Sequence, residues 1–149
     1  MRLSSRFPVA VQMLIILAWC PKELKVTSEL MALSVNTNAV LIRRIMGYLK
    51  RANLIAVAPG AGGTALTKDP FQITLLEIYR AVELTAGDRL FGLHEDQNLR
   101  CPIGKRINGL LGPHLEEARR ALENSLAEIT IGELLQQIPP YNRLPSASR

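Results

Sequence analysis

The sequence has few cysteines and few aromatic residues, and each scarcity limits the kind of protein it can be. Two cysteines, Cys20 and Cys101, in 149 residues cannot form the disulfide framework of a small secreted domain. Aromatic residues make up 5% of the chain and hydrophobic residues 48%, so a core must consist mainly of Leu, Ile, Val and Ala. Because this mixture suits packed helices, we expect a mainly α-helical protein. The low number of cysteines fits a reducing cytoplasm.

The chain also lacks a hydrophobic run long enough to cross a membrane. Its longest apolar stretch, FPVAVQMLIILAWC at 7–20, follows Arg2 and Arg6 and superficially resembles a signal peptide that ends at a cysteine. This stretch is shorter than the ~20 residues of a membrane span, and Trp19 stands where cleavage requires a small residue. We therefore interpret it as a buried helix and predict no membrane partner.

Acidic residues are scarce in the N-terminal half. Residues 1–68 hold nine basic and two acidic side chains, for a net charge of +7, whereas residues 69–149 hold nine basic and eleven acidic ones, for −2. A charge distribution this uneven favours an anionic partner for the first half, either nucleic acid or a membrane surface. The alternative is a basic face that serves only solubility.

The first half has the pattern of a helix-turn-helix. Ser4 or Ser5 can cap a first helix that ends near Cys20, and Thr27 or Ser28 can cap the short helix SELMALSV. The polar turn NTN at 36–38 follows, and Asn38 can cap a third helix, AVLIRRIMGYLKRANL. The predicted buried face of this third helix comprises Val40, Leu41, Ile45, Met46 and Leu49. A short helix, a turn and a longer cationic helix indicate DNA binding, although an ordinary helical hairpin has the same pattern.

The glycine-rich stretch PGAGG separates two short strand patterns, LIAVA at 54–58 and TALTK at 64–68. A phosphate-binding loop requires Lys followed by Ser or Thr directly after its second glycine, at the start of a helix. Here Gly63 is followed by Thr64, and the nearest lysine is Lys68. The stretch is therefore predicted to be the tip of a β-hairpin. A hairpin directly after a recognition helix is a wing.

The second half is predicted to contain a long helix that packs against another copy of the chain. Thr74 and Glu77 form a capping box for a helix that ends near Glu83, and a polar connection covers 84–102. A stripe of apolar residues at helical spacing follows: Ile103, Ile107, Leu110, Leu111, Leu115, Ala118, Leu122, Leu126 and Ile129. Such a helix would be ~40 Å long, which exceeds what a domain of this size needs for its own core.

Pro113 is expected to bend this helix, and Thr130 with Glu133 predicts a capping box for a terminal helix, IGELLQQI. The resulting division is a winged helix-turn-helix domain at 1–83, a connecting loop at 84–102, a dimerisation helix with the terminal helix at 103–138, and a disordered tail at 139–149.

Several strings along the whole chain resemble one family, the bacterial winged-helix regulators of the Rrf-two family, and particularly its YwnA-like branch. These strings are MRLSSRFPVAV, VNTNAVLIRRIMGYLKRANLI, the GAGG wing, QITLLEIYRAVE, LFGLHEDQNLRCPIGKRI and AEITIGELL. The resemblance implies a DNA-binding transcriptional regulator, a homodimer whose long helices form the interface and whose two heads bind an approximately palindromic operator. It also implies repression by steric occlusion.

The resemblance implies DNA-contacting roles for the positions of this sequence that match the family. The start of the third helix would enter the major groove, the wing would meet the minor groove or phosphates, and the N-terminus would hold the DNA backbone. The candidate residues are Arg2, Ser4, Ser28, Asn38, Val40, Leu41, Arg43, Arg44, Lys50, Gly60, Gly62, Gly63 and Thr64. The side-chain chemistry agrees, since asparagine can pair with adenine, and arginine with guanine or phosphate.

Two departures from the family pattern affect function. Ala58 and Pro59 stand in the wing where many relatives have an arginine, which argues against insertion into the minor groove. The iron-sulfur members have three cysteines between the helix that ends near Glu83 and the long helix, whereas this chain has only Cys101 there. A cluster held by cysteines needs about four thiolates, and Cys101 with His94 cannot supply them. We predict no iron-sulfur cluster and no metal site.

Cys101 leaves one further hypothesis. It precedes Pro102 at a predicted helix start, where the helix dipole can lower a thiol pKa and allow redox sensing; otherwise it is a small apolar interface residue. Two other function classes remain, a winged-helix module that binds proteins and a thiol or metal sensor without DNA binding. The sequence contains no Ser-His-Asp set or paired carboxylates in an apparent cleft, so we predict no enzymatic activity.

Overall fold

A computed structural model describes residues 4–60, 62–84 and 90–143. Its elements in chain order are α1 (Arg6–Trp19), α2 (Ser28–Val35), α3 (Ala39–Arg51), β1 (Ile55–Val57), β2 (Thr64–Leu66), a 3-10 turn (Pro70–Gln72), α4 (Leu75–Val82), α5 (Ile107–Ala127) and α6 (Ile131–Leu135). The strands form one antiparallel hairpin. The predicted fold class, mainly α with a small β-hairpin wing, is confirmed.

Helix α1 forms the centre of the core. Ala10, Met13 and Leu14 are fully buried, and the helix packs against α2, α3, α4, α6 and β2. The interpretation of the apolar N-terminal stretch as a buried helix is therefore confirmed. Of the helices in the described ranges, none combines the length and the hydropathy needed to cross a membrane.

Polar residues define the helix-turn-helix: Thr27 caps the start of α2, Asn36 turns the chain after α2, and Asn38 caps the start of α3. The Thr27 hydroxyl accepts a hydrogen bond from the Leu30 N–H at 3.3 Å, and Asn38 Oδ1 accepts one from the Leu41 N–H at 2.8 Å. Between these caps, Asn36 adopts a left-handed conformation with φ of 59°, which asparagine tolerates better than most residues. The predicted helix-turn-helix is therefore formed by local hydrogen bonds.

Helix α3 buries a face that differs from the predicted one at its start. Ile42, Ile45, Met46 and Leu49 are buried, whereas Val40 is 62% exposed. At 100° per residue, Val40 lies on the opposite side of α3 from Ile45, and Ile42 occupies the core position instead. The prediction that Val40 belongs to the buried face was wrong.

The hairpin wing pairs Ile55 with Leu66 and Val57 with Thr64. Gly60 and Gly63 have φ angles of 64° and 81°, as the prediction of a glycine-dependent tip requires. The Thr64 N–H also donates to the carbonyl of Val26 at 2.9 Å. This bond attaches the wing to the segment that leads into α2, a contact that the sequence pattern did not predict.

Substitution of Gly63 should destabilise the protein more than substitution of a helical glycine that has open space beside it. A Cβ at Gly63 would lie 3.1 Å from the Lys25 Cα and 3.2 Å from the Val26 nitrogen, on a backbone with positive φ. We expect Gly63→Ala to lower the free energy of unfolding by about 1–2 kcal/mol. Gly47→Ala, where nothing lies within 4 Å of the added methyl group, should raise it by about 0.5–1 kcal/mol. Urea denaturation measures both, and destabilisation of equal size would contradict the assignment.

Helix α5 begins later than predicted and lies mostly outside the core. It starts at Ile107, while Ile103 precedes it in a turn and is 72% exposed. No residue of α5 is buried, and an ion pair of 3.1 Å between Arg80 and Glu123 links the helix to α4. The helix continues through Pro113, so this proline does not divide it; the bend expected there stays a prediction.

Helix α6 belongs to the same core as α1. The Leu75 N–H donates to the Ile129 carbonyl and the Ile131 N–H donates to the Ile73 carbonyl, both at 2.9 Å. Ile131 is fully buried in the cluster that contains α1. The terminal helix therefore packs on the winged helix-turn-helix domain, the head of the molecule. The prediction had instead grouped it with the dimerisation helix in one unit at 103–138. Both predicted capping boxes, at Thr74 and Thr130, are present.

The start of the C-terminal tail lies against α1. The Trp19 indole N–H donates to the Pro139 carbonyl at 2.7 Å, and the Trp19 and Tyr141 rings meet edge to face at 4.8 Å. These contacts differ from the disorder expected from residue 139 onward. Residues 144–149 lie outside the described residues.

Candidate nucleic-acid interface

A surface groove of about 680 Å³ lies between α2, the outer side of α3 and the wing. It exists because α3 buries one face on α1 and α4, which turns its cationic residues towards the wing. Six of the thirteen predicted DNA-binding residues line this groove: Ser28, Arg43, Lys50, Gly60, Gly63 and Thr64. The remaining lining comes from Thr27, Glu29, Met46, Gly47 and Val57. Fold contacts therefore bring together residues that are up to 37 positions apart in the sequence.

Arg43 occupies the groove in a defined position. Its side chain is 54% exposed, and its Nη1 donates to Glu29 Oε1 at 3.2 Å and to the Ser28 hydroxyl at 3.5 Å. The Ser28 hydroxyl in turn donates to Glu29 Oε2 at 3.1 Å. A guanidinium has five N–H donors, so most of the Arg43 donors remain available to a ligand in the groove.

Two other cations of α3, Arg44 and Lys50, are exposed. Within the described ranges, no carboxylate forms an ion pair with either of them. Lys50 lines the groove, whereas Arg44 and the exposed Val40 lie on α3 outside its lining. Helix α3 therefore presents positive charge both inside the groove and beside it.

Three predicted residues have structural contacts that limit their contact with DNA. Asn38 Oδ1 caps α3, so the oxygen that would accept from adenine already holds a backbone N–H. Leu41 is half-buried against the core. Thr64 is only 9% exposed, which leaves its side chain little surface to offer.

The remaining predicted residues lie near the chain start and at the wing tip. The Ser4 hydroxyl accepts hydrogen bonds from the Arg6 N–H at 3.0 Å and from the Arg6 Nε at 2.9 Å, which positions Arg6 at the start of α1. Gly62 is exposed in the hairpin loop. Arg2 lies outside the described residues.

Glu29 is the charged groove residue that was not predicted from the sequence. Its carboxylate is held by its own backbone N–H first, then by the Ser28 hydroxyl and the Arg43 guanidinium, and these partners keep the pKa of Glu29 below its ordinary value. The carboxylate is therefore ionised at neutral pH. A signal was present in the sequence, because Glu29 is one of only two acidic residues in 1–68.

The two cysteines lie in different surroundings. Cys20 is buried, and desolvation raises the pKa of its thiol. Cys101 does not start a helix as predicted, since it lies in a turn six residues before α5. The pKa of its thiol is lowered by the backbone N–H groups of Gly104 and Ile103, and not by a helix dipole. Across the described part of the chain, no three His, Cys, Asp or Glu side chains are arranged to hold a metal ion.

A short helix, a left-handed turn, an exposed cationic helix and a glycine-tipped hairpin beside it together define a winged helix-turn-helix protein. A family model described as Rrf2, iron-dependent transcriptional regulator, matches residues 3–137. The chain is 38% identical over 136 residues to YwnA of Bacillus subtilis (strain 168), which is named as an HTH-type transcriptional regulator; the match covers 91% of this chain and 98% of that protein. The chain belongs to the Rrf2 family of transcriptional regulators.

Solved structures share this fold. A structure described as that of a DNA-binding protein is 36% identical and superposes with a TM-score of 0.71, covering 88% of this chain and 99% of its own. CymR, the global cysteine regulator of B. subtilis, shares the fold at 20% identity with a TM-score of 0.66, over 93% of this chain and 99% of that one.

Proposed function

We propose that this regulator acts in the cytoplasm as a homodimer that binds an approximately palindromic operator and represses transcription by steric occlusion. The observation that carries the proposal is the groove between α3 and the wing, in which Arg43 and Lys50 are exposed beside the glycine backbone of the hairpin. In a winged helix-turn-helix this is the side on which the recognition helix enters the major groove.

Electrostatics supports DNA as the ligand. The +7 charge of residues 1–68 attracts a polyanion and releases its counterions on binding. Arg43 and Arg44 can donate to guanine edges or phosphates, and the backbone N–H groups of the wing can meet phosphates. Within the described residues no set of side chains supports catalysis, and we propose binding without an enzymatic step.

An exposed apolar strip supports the dimer. The strip comprises Leu99, Ile103, Ile107, Leu110 and Leu111, which all carry large exposed apolar side chains within 13 residues of sequence. Several large apolar side chains exposed so close together in sequence favour a contact with another molecule. A second copy joined about a two-fold axis would place two heads on half-sites about 34–36 Å apart.

The donor set does not fit an iron-sulfur cluster, although the family description names iron dependence. Cys20 is buried in the core on α1, while Cys101 lies in the turn before α5. Cluster ligation by cysteine needs about four thiolates, and two cysteines in separate parts of the fold cannot supply them. We therefore propose that operator binding does not depend on a cluster.

A gel-shift experiment with DNA from upstream of the gene tests the proposal. At 50 mM salt we expect a specific complex whose affinity falls roughly a thousandfold by 200 mM salt, as about six phosphate contacts require. The same complex should form when an iron chelator is present. Affinity that is absent or independent of salt would favour the protein-interaction module, and loss of the complex with chelator would contradict the cluster-independent mechanism.

A further inference from the structure

A carboxylate in a DNA-facing groove is unfavourable for affinity, because it repels every phosphate that approaches. Glu29 is 68% exposed, lines the groove and is ionised at neutral pH. Its position in the first turn of α2 is favourable for a negative charge. The start of α2 itself lines the groove through Thr27, Ser28 and Glu29, so the charge that stabilises this helix also faces any ligand in the groove.

The contacts of Glu29 connect it to one cation. Glu29 Oε1 lies 3.2 Å from Arg43 Nη1, and Glu29 Oε2 accepts from the Ser28 hydroxyl at 3.1 Å. Both bonds of Arg43 come from Nη1. Within the described residues, its Nη2 and Nε have no partner in the protein, so the guanidinium can stay paired with Glu29 while its free edge meets a base.

The operator and unrelated DNA affect the ion pair between Glu29 and Arg43 differently. On the operator, the fixed guanidinium can donate from its free edge to a guanine without leaving Glu29. On unrelated DNA, Arg43 gains affinity only if it swings towards a phosphate, which breaks the pair and leaves the Glu29 carboxylate facing the DNA backbone. An exposed pair contributes little to folding, so its effect should appear in binding and not in stability.

We propose that Glu29 is a specificity-determining residue that acts through Arg43, holding its guanidinium for base contact and withholding it from the phosphates of non-cognate DNA. This inference rests on the DNA binding proposed above. It assigns Glu29 the role of lowering non-specific affinity, which the positive charge of the head would otherwise make high.

Glu29→Gln tests the role, since the amide keeps the shape and removes the charge. The matched control is Glu128→Gln, which makes the same charge change at the far end of α5. Fluorescence anisotropy would measure affinity for an operator selected from random duplex by the wild-type protein, and for a scrambled duplex, at several salt concentrations. Relative to the control, Glu29→Gln should lower the ratio of operator to scrambled affinity about fivefold. The salt slope on scrambled DNA should steepen by about one per head.

Glu29→Gln in an Arg43→Ala background distinguishes an effect of Glu29 through Arg43 from a direct effect of its carboxylate on DNA. If Glu29 acts through Arg43, its effect on the ratio disappears there. The proposal is overturned if Glu29→Gln behaves like Glu128→Gln, or if its full effect persists without Arg43, because the carboxylate would then act on DNA directly. A wild-type protein without salt-dependent duplex binding would overturn the proposed function itself, whereas specific wild-type binding with an unchanged ratio in the variant overturns only the role of Glu29.

Discussion

Replacing Arg43 and Arg44 together with alanine is expected to weaken operator binding at least about a hundredfold at fixed salt, since each base or phosphate contact contributes roughly 1–3 kcal/mol. Both side chains are exposed on α3, so the variant should fold and unfold like the wild type. Anisotropy titration with labelled operator measures the loss. Circular dichroism checks that the fold is retained.

A pair of arginines outside the groove provides the control. Arg100 and Arg120 are exposed in the connection and on α5, and replacing both with alanine removes the same total charge. We expect this control to change operator affinity by less than about fivefold, the size of a screened long-range effect. Equal losses in the two pairs would show that net charge alone governs binding and that α3 does not read the operator.

Replacing Leu110 and Leu111 together with glutamate is expected to convert the proposed dimer to a monomer and to lower operator affinity about a hundredfold or more. The two leucines are 65% and 42% exposed, so the isolated subunit should tolerate the change, but a subunit interface would have to bury two carboxylates. The loss of affinity follows because two linked heads gain about 10²–10⁴ in avidity over one. Light scattering measures the mass, and anisotropy measures the affinity.

Ala127→Glu serves as the control for this second variant. It introduces a carboxylate on the same helix, at an exposed position off the side that carries Leu110 and Leu111. This control should remain dimeric and keep its operator affinity. A double-glutamate variant that stays dimeric would place the interface elsewhere on the molecule, and a monomeric variant with full operator affinity would contradict two-headed binding.

The elements that the sequence predicted well are those whose stability is local. Thr27, Asn38, Thr74 and Thr130 each cap a helix within three residues of themselves, and the positive φ at Asn36 follows from the chemistry of asparagine. Such signals need no knowledge of distant residues. The resemblance to the Rrf2 family added the expected membership, which the matching family model confirms.

The predictions that failed depended on contacts between distant segments. Val40 was placed in the core because it is apolar, but the direction from which α1 and α4 cover α3 leaves it exposed. Helix α6 was grouped with its neighbour in sequence, whereas backbone bonds to Ile73 and Leu75 hold it on the head. A helix dipole was expected to lower the thiol pKa of Cys101, whereas backbone N–H groups in a turn lower it.

The sequence by itself determined that this protein has a cationic, helix-turn-helix first half with a glycine-tipped wing, because charge, caps and turn residues act over a few positions. Only the tertiary structure decided which side chains share the groove. Glu29 and Arg43 are 14 residues apart and meet because α2 packs across α3. The hydrophobic contacts behind that crossing are non-directional, so the periodicity of each helix could not show which side chains of α2 and α3 would meet.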